Sequence, residues 1–312
     1  MKRYEKFVLK ADNGIIFETS EGTSGELIIR ALNSTTANEY SANYANPPIP
    51  KCYNHICGEW NNGFVIKKCS DGSQFVWIPV GSLEANGTLD GKNFSEKFGR
   101  RNYENVRWYG ADRYYSKFSE ALSDELRKQC ESVEKYGGFY ISRYNISRYN
   151  VSKSSEGRPQ SVEGFMPWVK IDFYDAKQIA STIENTEAVK SHLTFGAEYD
   201  SVLEWFIETK VKTLAEIAED STKWGNYANT ENSPGKVVET GSREKWCANN
   251  IYDLAGNVME WTQEQFEGEY RVVRGGNGET SDLRYTAAHR GYEHPSVFFN
   301  NKLGFRAALW IK

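Results

Sequence analysis

The sequence predicts an α+β fold with two main helices, short strands and much irregular loop. Apolar residues recur at helical spacing over two stretches, 172–183 and 199–207. Short β-rich runs elsewhere flank turn dipeptides such as Asp71-Gly72. In the last quarter of the chain, β-rich anchors at 271–276 and 304–311 bracket roughly 27 residues that follow neither period. Long aperiodic regions inside a compact domain are usually functional, so we expect the rest of the chain to be a scaffold for this one.

The composition is that of an ordinary globular protein. The chain has 312 residues, of which 39% are hydrophobic and 26% charged, enough for one large domain or two smaller ones. The formal net charge is -4, and no run of lysine and arginine exceeds two residues. Because nucleic-acid binding depends on clustered basic side chains, we expect no nucleic-acid partner.

We expect no secretion signal, since the N-terminal residues lack a sufficiently long apolar run. No window approaches the ~20 apolar residues that cross a bilayer. We therefore expect a chain that is made in the cytoplasm and does not insert into a membrane. Five cysteines, an odd number in a long chain, indicate reduced thiols rather than a disulfide framework.

The chain begins with a predicted β segment. Runs at 7–11 and 15–19 flank Asp12-Asn13-Gly14, a hairpin signal because asparagine and glycine tolerate positive φ. A further strand is predicted at 26–32.

A linker follows this β segment. Residues 33–50 are polar and small and end in prolines, so they cannot build a core. We place the domain boundary near Pro50, which gives an N-terminal segment, 1–50, and a main domain, 51–312. The N-terminal segment is too short for a large core of its own, so we expect it to need a partner in an oligomer or a larger assembly.

Within the main domain, three further elements accompany the two main helices. A helix is predicted over 114–136, ended by Gly137-Gly138, and a strand follows it. A short helix begins at Thr213, where Glu216 completes a capping box. The apolar residues that define the helix over 114–136 are Phe118, Leu122, Leu126 and Val133.

Seven motifs then occur in order along the main domain. They are FVWIPVG (75–81), GGFYISRYNIS (137–147), MPWVKIDFYDAKQIA (166–180), LTFGAEYDSVLEW (193–205), IYDLAGNVMEWT (251–262), RVVRGG (271–276) and LGFRAAL (303–309). Together they resemble the formylglycine-generating enzyme, or sulfatase-modifying factor, family over residues 63–312. The resemblance implies a C-type-lectin-like fold, with two main helices against a small twisted antiparallel sheet and much irregular loop.

The resemblance also locates the cysteines of the oxidases in this family. In those members, two cysteines a few residues apart bind copper and perform the chemistry. The matching segment here is SDLRYTAAHR, which places Ser281 at the first position and Thr286 at the second. A hydroxyl does not replace a thiolate as a copper(I) ligand. We therefore expect the protein not to be an enzyme.

Other metal sites have only partial support. Related members of the fold use histidine-ligated iron, but no predicted helix places two histidines on one face with a carboxylate. The set Cys52, His55, Cys57 and Cys69 has the residue types of a zinc site, but free thiols are the favoured interpretation.

Calcium is the remaining metal to consider. Asn257 and Glu260 lie in GNVMEW, a segment that in the family lies close to a calcium ion. Two oxygen ligands do not make a complete site, so we favour capping and packing roles for both residues. We expect no cofactor, with calcium as the alternative.

Aromatic and amide residues are abundant between the RGG and GFR motifs. Rigid aromatics and adaptable amides are typical of binding loops. Because adjacent residues on an extended segment face opposite ways, one of the two adjacent phenylalanines is expected to pack inward. The predicted ligand-binding residues are Asn277, Ser281, Tyr285, His289, Tyr292, His294, Phe298, Phe299, Asn300 and Asn301.

This arrangement resembles the variable proteins of diversity-generating retroelements and phage tail proteins of the same fold. The resemblance implies a non-enzymatic protein that binds a protein or glycan ligand on a target cell through residues 277–301. Such a chain would be carried on a phage particle or displayed at a cell surface. Two alternatives stay open: an oxidase or nonheme iron enzyme with atypical ligands, and a structural virion protein whose loop surface is buried against a neighbouring subunit.

Overall fold

A computed structural model describes most of the main domain and three strands before it. The described residues are 8–10, 16–21, 27–31, 47–60, 62–80, 98–103, 115–149, 157–231, 233–280, 285–298 and 300–312.

The three N-terminal strands are β1 (Val8–Lys10), β2 (Ile16–Glu21) and β3 (Leu27–Ala31). They form an antiparallel sheet in the order β1-β2-β3, which confirms the predicted strands. The turn Asp12-Asn13-Gly14 and most of the linker lie outside the described residues, so the domain boundary stays a prediction.

The strands of the main domain are β4 (Tyr53–Cys57), β5 (Val65–Lys68), β6 (Gln74–Pro79), β7 (Phe118–Ser119), β8 (Gly138–Ser142), β9 (Ser147–Tyr149), β10 (Arg158–Gln160), β11 (Val189–Leu193), β12 (Cys247–Ala248), β13 (Ile251–Tyr252), β14 (Met259–Phe266), β15 (Tyr270–Arg274), β16 (Arg290–Glu293), β17 (Leu303–Phe305) and β18 (Ala307–Ile311). The helices are α1 (Asp124–Tyr136), α2 (Phe173–Ala180), α3 (Gly196–Glu208) and α4 (Leu214–Ala218), and a 3-10 turn spans Glu244–Trp246. Among the described helices, none is long and apolar enough to cross a membrane.

The central sheet has six antiparallel strands in the order β11-β18-β8-β6-β5-β4. The predicted hairpin between β5 and β6 is confirmed, and its turn contains Gly72 with φ 79°. The strand β18 lies inside this sheet, between the edge strand β11 and β8, so it is paired on both sides.

Both faces of the central sheet are covered. One face carries Val76, Ile78 and Ile141 and packs in the same cluster as residues of α3. The other carries Phe75, Trp77 and Tyr140 and packs in the same cluster as residues of α2. Most of α3 is buried, including the charged residues Glu198 and Asp200, so this helix is enclosed on almost every side rather than simply amphipathic.

A second sheet of five strands has β16, β15, β14 and β17 in that order, and β7 also pairs with β14. Most of its pairs are antiparallel, but β14 and β17 are parallel. The position of β16 corrects the prediction that residues between 276 and 304 are aperiodic throughout. Pairing with β15 makes Arg290–Glu293 a regular strand, which local sequence pattern did not reveal.

The first predicted helix is shorter than expected. It begins at Asp124, because the Ser123 side chain accepts a hydrogen bond from the Leu126 amide and caps it. The upstream positions differ from the prediction: Phe118 lies in β7, and Leu122 is exposed. Gly137 ends the helix in the left-handed conformation, as predicted.

The remaining helix predictions agree with the structure. Asp172 caps α2, which lies within the predicted stretch. Thr213 and Glu216 form the predicted capping box of α4.

Candidate functional site

Two arginines of the five-stranded sheet border the connection between β15 and β16. Arg274 ends β15 and Arg290 begins β16, and the strand register places them directly opposite each other. Like charges in opposite positions destabilise a sheet. This pair therefore needs carboxylates close by.

Asp200 of α3 and Glu264 of β14 supply those carboxylates. Asp200 Oδ1 accepts a hydrogen bond from Arg274 Nη2 at 2.7 Å, and its Oδ2 accepts one from Arg290 Nη2. Arg290 Nε donates to the two Glu264 oxygens at 3.0 and 3.1 Å. Burial alone would raise the pKa of Asp200, but Arg274 and Arg290 hold it below its usual value. We call these four fully buried side chains the anchor network, because they fasten two strands to α3.

Two further charged groups border the anchor network. Arg100 Nη1 donates to Glu264 Oε1 at 3.0 Å. The Glu120 carboxylate accepts from the amides of Gly196 and Ala197, at 2.6 and 3.0 Å, in the first turn of α3. Burial, followed by the nearby Glu264, raises the pKa of Glu120 to about 8.

The turn after β15 is built on glycine and asparagine. Gly276 has φ 70°, and a Cβ there would lie 2.4 Å from the Tyr285 carbonyl oxygen, so the position requires glycine. Asn277 is buried, and its Oδ1 accepts a hydrogen bond from the Glu279 amide at 3.0 Å. The Asn277 side chain therefore stabilises the turn.

The segment before β16 packs beside α4. Thr286 is buried, and its hydroxyl donates to the Ala218 carbonyl oxygen at 3.4 Å. The Ala288 amide donates to the Ile217 carbonyl oxygen at 3.1 Å. The position that matches the second oxidase cysteine is thus occupied by a hydroxyl bonded to backbone.

His289 and Tyr285 lie in the same inward-facing segment. His289 is buried, and its ring meets the Tyr285 ring edge-on with centroids 5.1 Å apart. Tyr285 is half-buried against the core cluster that contains α3. We expected His289 and Asn277 to be exposed contact residues, but both are buried. The segment that carries His289 packs against α4, and the Asn277 side chain is bonded within the turn after β15.

The aromatic side chains of β16 and the following loop lie at the surface. Tyr292 is half-buried and stacks on Phe266, with centroids 4.1 Å apart. Tyr270 of β15 meets Tyr292 and His294 at right angles, with centroid distances of 5.5 and 6.0 Å. Phe298 follows on the loop and is 65% exposed. We call Tyr270, Tyr292, His294 and Phe298 the aromatic rim.

Backbone hydrogen bonds hold the loop that carries Phe298. The Pro295 carbonyl oxygen accepts from the Phe173 amide at 2.9 Å, at the start of α2. The Asn300 carbonyl oxygen accepts from the Lys170 amide at 3.1 Å, and Asn300 Oδ1 accepts from the Lys302 amide at 2.9 Å. The loop is therefore tied at one end to the start of α2 and at the other to the segment just before α2.

The predicted contact residues thus divide into three groups. Asn277 and His289 are buried, and Tyr285, Tyr292 and Asn300 are half-buried. His294, Phe298 and Asn301 are exposed, while Ser281 and Phe299 lie outside the described residues. Ligand binding by the exposed and half-buried members stays a prediction.

Sequence reasoning missed Tyr270 as a member of the aromatic rim. Tyr270 is 42% exposed and lies just before the RVVRGG motif. The available signal is the period of two of a strand: Tyr270, Val272 and Arg274 occupy every second position and therefore share one face. Its proximity to Tyr292 depends on the pairing of β15 with β16.

The calcium candidates have protein partners. Asn257 Oδ1 accepts from Asn226 Nδ2 at 3.1 Å and from the Val238 amide at 3.0 Å. Glu260 Oε1 accepts from Arg306 Nε and from Asn145 Nδ2, each at 2.7 Å. Burial raises the pKa of Glu260 to about 7, although Arg306 favours its charged form. These contacts suit the packing roles favoured from the sequence, and calcium binding stays untested.

Histidines of the zinc and iron candidates also have protein partners. His55 stacks on Phe64, with centroids 4.0 Å apart, and its Nε2 lies 2.9 Å from the Cys57 and Gly58 carbonyl oxygens. His192 Nε2 lies 2.8 Å from Glu198 Oε1 in the core. In the part of the chain that the structure describes, no group of three or more His, Cys, Asp or Glu side chains could hold a metal ion.

Comparison with known families gives one match over most of the main domain. The sulfatase-modifying factor enzyme 1-like domain matches residues 65–311. The chain therefore belongs to the sulfatase-modifying factor family and has its C-type-lectin-like fold, as the motifs predicted. This domain occurs in enzymes and in non-enzymatic variable proteins. Curated protein sequences give no match.

Solved structures that are similar to this chain include the following three. PvdO from Pseudomonas aeruginosa has 17% identity and a TM-score of 0.48, covering 82% of this chain and 100% of its own. Treponema denticola variable protein 1 has 16% identity and a TM-score of 0.38, covering 55% and 84%. The Major Tropism Determinant M1 variant has 11% identity and a TM-score of 0.37, covering 98% and 81%. These identities and scores are low, so we infer no function from them.

Proposed function

We propose that this protein is a non-enzymatic binding protein that contacts a protein or glycan ligand through the aromatic rim. The observation that supports this proposal is the placement of large aromatic side chains at the surface: Tyr270 and Tyr292 on two fastened strands, and Phe298, 65% exposed, on the loop that follows them. Exposed aromatic groups on a fixed support provide contact area at low cost in conformational entropy.

The support beneath the aromatic rim is rigid for a physical reason. The anchor network fixes the β15 and β16 ends through buried, charge-assisted hydrogen bonds. Tyr292 is then held by stacking on Phe266. A ligand would therefore meet side chains that lose little freedom on binding, which favours affinity.

The polar groups near the aromatic rim favour a ligand with hydrogen-bonding groups of its own. Asn301 and His294 are exposed within a few residues of Phe298, and Glu269 Oε2 lies 3.7 Å from His294 Nε2. Rings combined with amide, imidazole and carboxylate groups suit both peptide side chains and sugar hydroxyls. Both ligand classes therefore enter the test.

The position of Thr286 supports a non-enzymatic function. Its hydroxyl is buried and bonded to a backbone carbonyl group, where the family's oxidases carry a cysteine. A threonine hydroxyl at ordinary pH is neither a copper(I) ligand nor an activated nucleophile without an adjacent base.

The test uses a glycan array and a phage-displayed random peptide library as probes. Phe298→Ala is compared with Leu122→Ala, a matched exposed apolar residue that lies before α1 and is 62% exposed. We expect probes selected by the unaltered protein to bind Phe298→Ala about ten-fold more weakly and Leu122→Ala equally well. Selected probes that bind both variants equally, or no selected probe from either source, would contradict the proposal.

A second measurement addresses the enzyme alternative. Elemental analysis of the purified chain is expected to find neither copper nor iron near one equivalent. A stoichiometric metal that is lost in Thr286→Ala or His289→Ala would instead support an enzyme with atypical ligands.

The finer proposal is a variable protein of a diversity-generating retroelement or a phage tail. Its support is the motif order and the contrast between the segments that match family motifs and the segment between RGG and GFR, which departs from them. The neighbouring DNA tests it: a reverse transcriptase gene with an adenine-substituted near copy of the 3′ coding region is expected. Absence of such a copy removes diversification but leaves ligand binding intact.

A further inference from the structure

The edge of the six-stranded sheet carries two cysteines that the binding proposal does not use. β4 is the last strand in the order of that sheet, and it pairs only with β5 among the described strands. Edge strands depend on a single ladder of hydrogen bonds and open more easily than central strands. β4 also lies before residue 65, where the family match begins.

Cys52 and Cys69 extend the ladder between β4 and β5 by one position. Tyr53 is paired with Lys68, and the Cys69 amide donates to the Cys52 carbonyl oxygen at 2.9 Å. Cys52 and Cys69 are therefore opposite each other. Opposite residues in a hydrogen-bonded antiparallel pair have Cα atoms about 5.5 Å apart, within the separation of roughly 4.4 to 6.8 Å that a disulfide bridges.

Both sulfur atoms are accessible. Cys52 and Cys69 are the exposed cysteines of the chain, whereas Cys57, Cys130 and Cys247 are half-buried. Cys69 Sγ accepts a hydrogen bond from Asn54 Nδ2 at 3.3 Å, so it lies over the Asn54 side chain. Cys52 lies in the turn just before β4, with φ 70°, and its carbonyl oxygen accepts the Cys69 amide hydrogen bond.

We propose that Cys52 and Cys69 form a cross-strand disulfide when the protein meets a low-molecular-weight disulfide. The bond would fasten the edge strand β4 to β5. It would also hold the chain that enters the domain, where the Pro48 carbonyl oxygen accepts from the Tyr140 hydroxyl at 2.9 Å and the Pro50 carbonyl oxygen from the Tyr53 amide at 3.1 Å. Separation of β4 from β5, starting at its N-terminal end, would then require breaking a covalent bond.

The reaction balances as two successive thiol–disulfide exchanges. The thiolate of one cysteine attacks a sulfur of the small disulfide, forms a mixed disulfide and releases one small thiol. The thiolate of the other cysteine attacks the protein sulfur of that mixed disulfide and releases the second small thiol. Two protein thiols are oxidised, the small disulfide is reduced to two thiols, and the two protons pass to the leaving thiolates.

The experiment exposes the reduced full chain, at low protein concentration, to oxidised glutathione. Peptide mapping without reduction is expected to recover a Cys52–Cys69 pair that is two hydrogen atoms lighter than the separate peptides. Amide hydrogen exchange in β4 should become at least about ten-fold slower, because closing a loop of this size restricts opening.

Single substitutions give matched controls. Cys52→Ser and Cys69→Ser, both at exposed positions, should lose the crosslinked peptide and the slower exchange, while Cys130→Ser should keep both. Separate glutathione adducts on Cys52 and Cys69, or a Cys52–Cys57 pair, would overturn the proposal. So would an oxidised chain with the crosslink but unchanged exchange in β4.

Discussion

The anchor network and the aromatic rim reverse the usual distribution of charge and apolar surface. Arg274 and Arg290, with their carboxylate partners, are fully buried, whereas Phe298 is 65% exposed. Charged residues are almost never fully buried unless they are paired, and large aromatics are seldom so exposed. The contrast separates two tasks: buried pairs fix geometry, and exposed rings remain available for contact.

This division has an energetic reason. Removing charges from water is costly, and only well-formed hydrogen bonds compensate for it, so a buried ion pair accepts few alternative geometries. Tyr270 and Tyr292 of the rim project from strands that the network has already placed, and His294 and Phe298 lie on the loop that follows β16. Changes in the rim should therefore affect binding, while changes in the network should affect the fold.

The largest effect is expected from Asp200→Asn. This change leaves Arg274 and Arg290 buried without their shared carboxylate, so the free energy of unfolding should fall by about 3–5 kcal/mol. Urea unfolding measures it. Asp124→Asn, whose partner Arg127 lies 2.8 Å away at the surface, is the control and should change stability by less than about 1 kcal/mol. Equal effects of the two substitutions would show that the network does not hold the fold.

Two phenylalanines of the same region sharpen the comparison. Phe305 of β17 is fully buried, so Phe305→Ala should lower the free energy of unfolding by about 3–5 kcal/mol. Phe298→Ala should change it by less than about 0.5 kcal/mol, because the side chain is largely exposed. Thermal or urea unfolding of both variants measures these changes in the free energy of unfolding. A large loss for Phe298→Ala would place Phe298 in the support rather than in the contact surface.

A further effect concerns pH. The folded chain keeps the Glu120 proton up to a pKa of about 8, whereas an ordinary glutamate loses it near 4.5. The folded state therefore binds more protons between these values, and the free energy of unfolding should decrease as pH rises through this window. Glu120→Gln, which cannot titrate, should show a smaller decrease in urea unfolding at low salt. An identical pH profile for both proteins would remove Glu120 as the cause.

Much of the fold could be predicted from local pattern. Thr213 with Glu216, Asp172 before α2, and Gly137 after α1 are short-range signals, because a cap needs only neighbouring residues. The start of α1 was misplaced because Leu122 fits a helical period but lies before the Ser123 cap. Apolar period alone does not distinguish a residue in a helix from one that precedes it.

The candidate site was less accessible to such reasoning. Composition drew attention to the aromatic residues between the RGG and GFR motifs, and the resemblance to the family placed Thr286 at the position of the second oxidase cysteine. The burial of Asn277 and His289 could not be read from composition, since a polar residue in a turn is buried or exposed according to what packs against it. Tyr270 joined the rim only through pairing of β15 with β16.

The sequence by itself determined the family, the order of the main motifs, and the hairpin and cap positions. These features depend on residue type and short spacing. Only the tertiary structure decided that Asp200 on α3 neutralises two opposed arginines, that a strand crosses the aperiodic region, and which aromatic side chains reach the surface. Those outcomes depend on contacts between residues far apart in the chain, where burial and charge compensation are set by partners that no local pattern specifies.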